Sequence, residues 1–164
     1  MIKRELYMNR IRPFIGGELI KVMTGIRRSG KSVMLELIKE ELAEAGVAPS
    51  QMISINFEDM RYSHLQTATA LHDEIIKRAE GIEGKAYLFF DEIQEVEGWE
   101  KCVNSLRVAL DCDIYITGSN AKLLSGELAT YIGGRYVEFV IYPFSFAEFL
   151  ELYHTIAPSY SIQQ

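Results

Sequence analysis

The chain has 164 residues, 48% hydrophobic and 24% charged, which suits one globular domain with its own core and excludes a disordered or fibrous protein. The net charge of −6 gives no overall attraction for nucleic acid, so composition lends DNA or RNA binding no support, although a local basic patch would not show in that sum. No apolar run reaches the ~20 residues of a membrane span, the first twelve residues lack a signal-peptide core, and Cys102 and Cys112 are far from any C-x-x-C spacing; the expectation is an unprocessed cytoplasmic protein with no membrane contact.

Residues 3–15 place Lys3, Arg4, Arg10 and Arg12 among Leu6, Tyr7, Met8 and Ile11 and end at Pro13, which predicts an amphipathic helix in a lead-in over residues 1–18. Its simplest reading is a surface helix packed on a sheet edge; a second brings Arg10, Arg12 or Pro13 near a nucleotide base. Leu19–Thr24 reads as a buried strand. It runs into Gly25-Ile26-Arg27-Arg28-Ser29-Gly30-Lys31-Ser32, which fits the phosphate-loop pattern G-x-x-x-x-G-K-[ST]. Two glycines allow a tight turn whose N–H groups converge, and a helix N-terminus adds partial positive charge. Gly25 to Val33 are therefore the candidate nucleotide contacts. Lys31 supplies a full charge to the β and γ phosphates, and the Ser32 hydroxyl a ligand to Mg²⁺. Met34, Leu37, Ile38 and Leu42 continue at helical spacing until Gly46 and Pro49.

Met52–Phe57 predicts the second strand, and Ser63 with Gln66 predicts a capping box opening a helix that carries Leu71, Ile75 and Ile76. Ala86–Asp91 predicts a third, fully buried strand ending in Asp91-Glu92. A carboxylate pair at such a tip suits Asp91 as a second Mg²⁺ ligand and Glu92 as the group that polarises an attacking water. After an amphipathic helix from Trp99 to Leu110, a strand over residues 113–117 ends in small polar residues, of which Thr117, Ser119 and Asn120 could reach the γ-phosphate or the water. Asn120 competes as the N-cap of a helix over residues 121–128, so Ser119 comes first. Gly133-Gly134-Arg135 precedes a fifth strand over residues 136–142, and Ser145 with Glu148 predicts a final capped helix. Strands alternating with helices imply an α/β fold with a parallel sheet covered on both faces and one cleft at the strands' carboxyl ends.

The motif set GIRRSGKS, YLFFDEIQ, ITGSNAKLL, GGRY and YPFSFAEFL resembles the prokaryotic AAA-type P-loop ATPases whose ATPase domain is usually followed by an uncharacterised C-terminal domain. That resemblance covers nearly the whole chain and implies a three-layer sandwich with sheet order 5-1-4-3-2, residues 1–164 forming a single ATPase domain of a longer protein. It implies ATP and Mg²⁺ as ligands, Ser119 in the polar sensor segment, and Arg135 as a motif arginine that serves its own subunit or a neighbour. It also implies a protein partner or self-assembly through the part beyond this chain. Hydrolysis, slow in an isolated domain, ranks first and an ATP-gated switch second. A small-molecule kinase ranks lower because it has no need of Glu92, and a GTPase lower still because no [NT]-K-x-D motif occurs.

Overall fold

Successive residues of the central strands point to opposite helical layers, and this alternation builds the domain. The computed structural model describes residues 4–26, 28–119, 123 and 132–143. Five strands, β1 (Ile20–Thr24), β2 (Met52–Asn56), β3 (Ala86–Asp91), β4 (Cys112–Gly118) and β5 (Tyr136–Val140), form one parallel sheet in the order β2-β3-β4-β1-β5. This is the expected 5-1-4-3-2 order. Ile20, Val22, Leu88, Phe90, Ile114 and Ile116 pack with α3 (Ala68–Ala79) and α4 (Trp99–Ala109). Their neighbours Met23, Phe89 and Tyr115 pack with α1 (Glu5–Ile11) and α2 (Lys31–Glu44). A sheet buried on both faces needs apolar residues at consecutive positions, which is why β3 and β4 read as continuous hydrophobic runs.

At the amino ends of β1 and β4 the core contains a charge pair. Lys21 and Asp113 are fully buried and bonded to each other; Asp113 also accepts from the Tyr115 hydroxyl (2.5 Å) and the Gly16 N–H (2.8 Å), and Lys21 Nζ donates to the Gly17 carbonyl (2.8 Å). Burial lowers the Lys21 pKa, with Asp113 acting against it. The network fixes the turn between α1 and β1 to the base of the sheet, at the end away from the phosphate loop.

Two local expectations change. The lead-in helix is shorter, with α1 followed by a 3₁₀ turn over Arg12–Phe14 that takes Pro13 in its first positions. The Ser63–Gln66 capping box does not form: residues Met60–Leu65 make a 3₁₀ segment, and α3 is capped by Thr67, whose hydroxyl accepts from the Ala70 N–H (3.3 Å). The helices expected after Asn120 and Ser145 lie outside the described residues, as do Asn120 and Arg27 themselves. Among the described residues, no helix is long and apolar enough to cross a membrane.

Candidate nucleotide site

The loop between β1 and α2 is tightly enclosed, which accounts for its glycines. A Cβ on Gly25 would lie 2.3 Å from the Ile141 carbonyl oxygen, and Gly30 combines φ 100° with a position where a Cβ would meet Arg4 Nη1 at 2.7 Å. Arg28 is exposed and sits at φ 64°, so the backbone turns through the left-handed region twice before the helix starts. Ile26 and Val33 are exposed at the loop's surface, whereas Ser29 is buried and its hydroxyl has no partner among the described residues.

Lys31, 4% exposed, folds back over the loop and donates from Nζ to the carbonyls of Gly25 (2.8 Å) and Ile26 (3.1 Å), with Glu92 Oε1 at 3.6 Å. Ser32 donates to Asp91 Oδ2 (2.6 Å). The strand order explains that contact: β4 separates β1 from β3, so the loop must reach across it to meet Asp91. Thr117, at the tip of β4 and fully buried, bridges the gap, donating to Asp91 Oδ1 (2.5 Å) and accepting the Glu92 N–H (2.9 Å). Loop hydroxyl, acidic strand and polar-tipped strand thus form one hydrogen-bonded unit.

Glu92 is buried in the left-handed region at φ 58°, ψ 53°. Its Oε2 accepts from Ser119 Oγ (2.9 Å) and from Gln94 Nε2 (2.6 Å), while Oε1 faces Lys31. The polar roles of β4 are therefore divided: Thr117 orders the Asp91–Glu92 backbone and Ser119 orders the Glu92 side chain.

Ser32 and Asp91 also line a cavity of about 310 Å³ between α2 and the ends of β2 and β3, completed on its polar side by Glu36, Lys39, Ser54 and Asn56. The donor set suits Mg²⁺: one carboxylate and one hydroxyl, hydrogen-bonded to each other and bordering open space, match an ion that keeps waters and takes phosphate oxygens for the rest. Among the described residues, no group of three or more His, Cys, Asp or Glu is placed to hold a metal by itself.

Arg135 is not at this site in its own chain. It is exposed, and its carbonyl pairs with the Ile20 N–H at the amino end of β1. Five strand residues at ~3.3 Å each separate it from the loop, roughly 16 Å and beyond the reach of its side chain. Of the lead-in residues, Arg12 pairs with Glu41 and Glu5 on the surface, and Arg4 instead contacts the loop. Sequence reasoning missed Arg4 and Gln94. Gln94 carried a signal, an amide two residues past a carboxylate at a strand tip, but an arginine ahead of a short helix carries none.

The AAA domain family profile matches residues 17–150. An uncharacterised protein of Haemophilus influenzae is 48% identical over 150 residues, covering 92% of this chain and 38% of that protein. An uncharacterised protein of Methanocaldococcus jannaschii is 41% identical over 133 residues, covering 80% and 28%. The chain thus spans well under half the length of either relative. Among solved structures, the Aeropyrum pernix Orc1 protein in complex with DNA matches with TM-score 0.66 at 15% identity, over 97% of this chain and 50% of that one. AMPPCP-bound DnaA from Aquifex aeolicus matches with TM-score 0.63 at 14% identity, over 100% and 54%. Those two likenesses concern the fold, whereas the family match extends over the loop, the acidic strand and the polar-tipped strand together: the chain belongs to the AAA domain family of P-loop proteins.

Proposed function

We propose that the protein binds Mg-ATP at Gly25–Val33 and hydrolyses it. The observation that supports this best is the position of Glu92, buried beside Lys31 and held by Ser119 and Gln94, because a domain that only bound nucleotide would have no use for an aimed carboxylate there. Lys31 would exchange its loop carbonyls for β and γ phosphate oxygens. Ser32 and Asp91 would hold the Mg²⁺, whose chemistry is to neutralise charge developing on those phosphates. Glu92 would accept a proton from water as the water oxygen attacks the γ-phosphorus and the bond to ADP breaks. Ser119 would keep that carboxylate in place.

Arg135 would act, if at the γ-phosphate, on a neighbouring subunit. We place the reaction in the cytoplasm, in the ATPase domain of a longer protein whose remaining part supplies a protein partner or self-assembly, in keeping with the greater length of the relatives.

Two substitutions test the reading. Lys31→Ala should remove most of the Mg-ATP affinity measured by calorimetry. Glu92→Gln should leave ATP bound but reduce turnover by roughly 100-fold or more, the scale of losing a general base. Unchanged hydrolysis in Glu92→Gln would make Glu92 a bystander, and unchanged affinity in Lys31→Ala would remove the loop from the account.

A further inference from the structure

Arg4 is 5% exposed and donates from Nη1 to the Ser29 carbonyl (2.6 Å) and from Nη2 to the Tyr142 carbonyl (2.7 Å). Its guanidinium lies 4.5 Å from the centre of the Tyr7 ring, and the Tyr7 hydroxyl accepts the Tyr142 N–H (3.0 Å). One side chain therefore joins three segments far apart in sequence: the start of α1, the phosphate loop and the chain leaving β5. Burying a guanidinium is unfavourable unless its donors are satisfied, and here two separate Nη groups of one rigid plane each reach a carbonyl of a different segment.

The Ser29 carbonyl is informative because of peptide geometry. In a planar trans peptide the C=O of Ser29 and the N–H of Gly30 point in opposite directions, so holding that oxygen on Arg4 turns the Gly30 N–H to the other side of the loop. Gly30 lacks a Cβ at the place where Arg4 Nη1 passes, which keeps the approach open. We propose that Arg4 is the positioning residue of the phosphate loop: it sets the Ser29–Gly30 peptide in the orientation that binds a polyphosphate, and it ties that orientation to the exit of β5 at Tyr142. That this orientation serves a polyphosphate rests on ATP being the ligand; that Arg4 sets the loop and ties it to Tyr142 does not.

The experiment uses the 164-residue chain with Arg4→Ala and Arg4→Lys, read in two ways. Amide hydrogen exchange without nucleotide should rise in peptides spanning residues 25–33 and 141–143 in both variants, while β3 and α3 keep wild-type protection. Calorimetric titration with Mg-ATP should show affinity at least tenfold weaker for Arg4→Ala, and Arg4→Lys should recover only part of it, because an ammonium keeps the charge but offers one nitrogen where Arg4 reaches the Ser29 and Tyr142 carbonyls from two separate Nη atoms. Loop exchange and affinity equal to wild type in both variants would overturn the proposal. Full recovery by lysine would overturn it too, by reducing Arg4 to a charge, as would exchange rising equally throughout the domain, which is the mark of a merely structural contact. Wild-type protein that binds no ATP would instead sink the functional reading, and the exchange result would still decide whether Arg4 sets the loop.

Discussion

Glu92 combines two unfavourable features within three residues. A non-glycine residue at φ 58° costs about 1–3 kcal/mol, and two residues on, the Gln94 Oε1 is buried without a partner among the described residues, a cost of similar size. Both follow from aiming one carboxylate. The left-handed turn at residue 92 carries the chain into the 3₁₀ segment Ile93–Glu95, which brings the Gln94 amide back onto Glu92 Oε2, and Gly118 leaves room for it because a Cβ there would meet Gln94 Oε1 at 2.9 Å. With Ser119 also on Oε2, Oε1 is the oxygen left facing Lys31, and in the proposed mechanism it is the one that would take the proton. Gln94→Ala should therefore lower kcat by about tenfold to a hundredfold, the scale of a misplaced group, while Mg-ATP affinity stays at the wild-type value. Single-turnover hydrolysis beside calorimetry reads the two separately; a loss shared equally by kcat and affinity would mean that Gln94 supports the loop rather than the carboxylate. At this scale the sequence was most legible where backbone geometry dictates residue type. Gly25, Gly30, Lys31, Ser32 and Asp91 stand together as their spacing implied. Thr117 and Ser119 were harder to separate, because residues two apart along a strand share a face, and which carboxylate each hydroxyl meets depends on the register with the neighbouring strand.

Among the elements, the start of α3 shows a local signal losing to a tertiary one. Ser63 and Gln66 have the spacing of a capping box, but the Glu97 N–H donates to the Gln66 carbonyl and the Ala68 N–H to the Glu97 carbonyl (both 3.0 Å), forming a parallel bridge at Thr67. A residue in that bridge is extended, as Thr67 is at φ −122°, ψ 150°, so the helix cannot begin before Ala68. The Gln66 side chain instead donates to the Phe57 carbonyl (3.2 Å). This arrangement also serves the site, since it anchors the segment that leaves Glu92 to the segment that leaves β2. Thr67→Ala should cost about 1 kcal/mol in urea denaturation, the usual value of an N-cap, while Ser63→Ala at its exposed position should stay within about 0.5 kcal/mol. The opposite ranking would restore the capping box. The capping box was read from spacing alone, and nothing in a single sequence reveals a bridge to a residue thirty positions downstream.

For the whole molecule, the strands could be read from periodicity, but their order came from resemblance, since apolar runs do not tell which strand lies beside which. That order decides what Arg135 can do. β5 is an edge strand parallel to β1, so the residue preceding it lies at the amino end of the sheet while the phosphate loop lies at the carboxyl end. The Ile132–Gly134 turn, with Gly134 at φ 76°, holds Arg135 at that edge with its side chain exposed. Action on its own γ-phosphate is thereby removed, leaving a finger offered to a neighbour or an ordinary surface arginine. If it is a finger, Arg135→Ala should bind Mg-ATP like wild type in the isolated domain and lose turnover only in an assembled, longer protein, by up to the roughly 1,000-fold or more that such a finger supplies. Mixing then separates the two cases. Glu92→Gln subunits lack the base but still offer Arg135, and Arg135→Ala subunits lack the finger but keep the base. In a mixed assembly an intact half-site of one meets an intact half-site of the other, so hydrolysis should partly return although each variant alone is inactive. A mixture shown to form hybrid oligomers, yet no more active than its parents, would leave Arg135 as a surface residue.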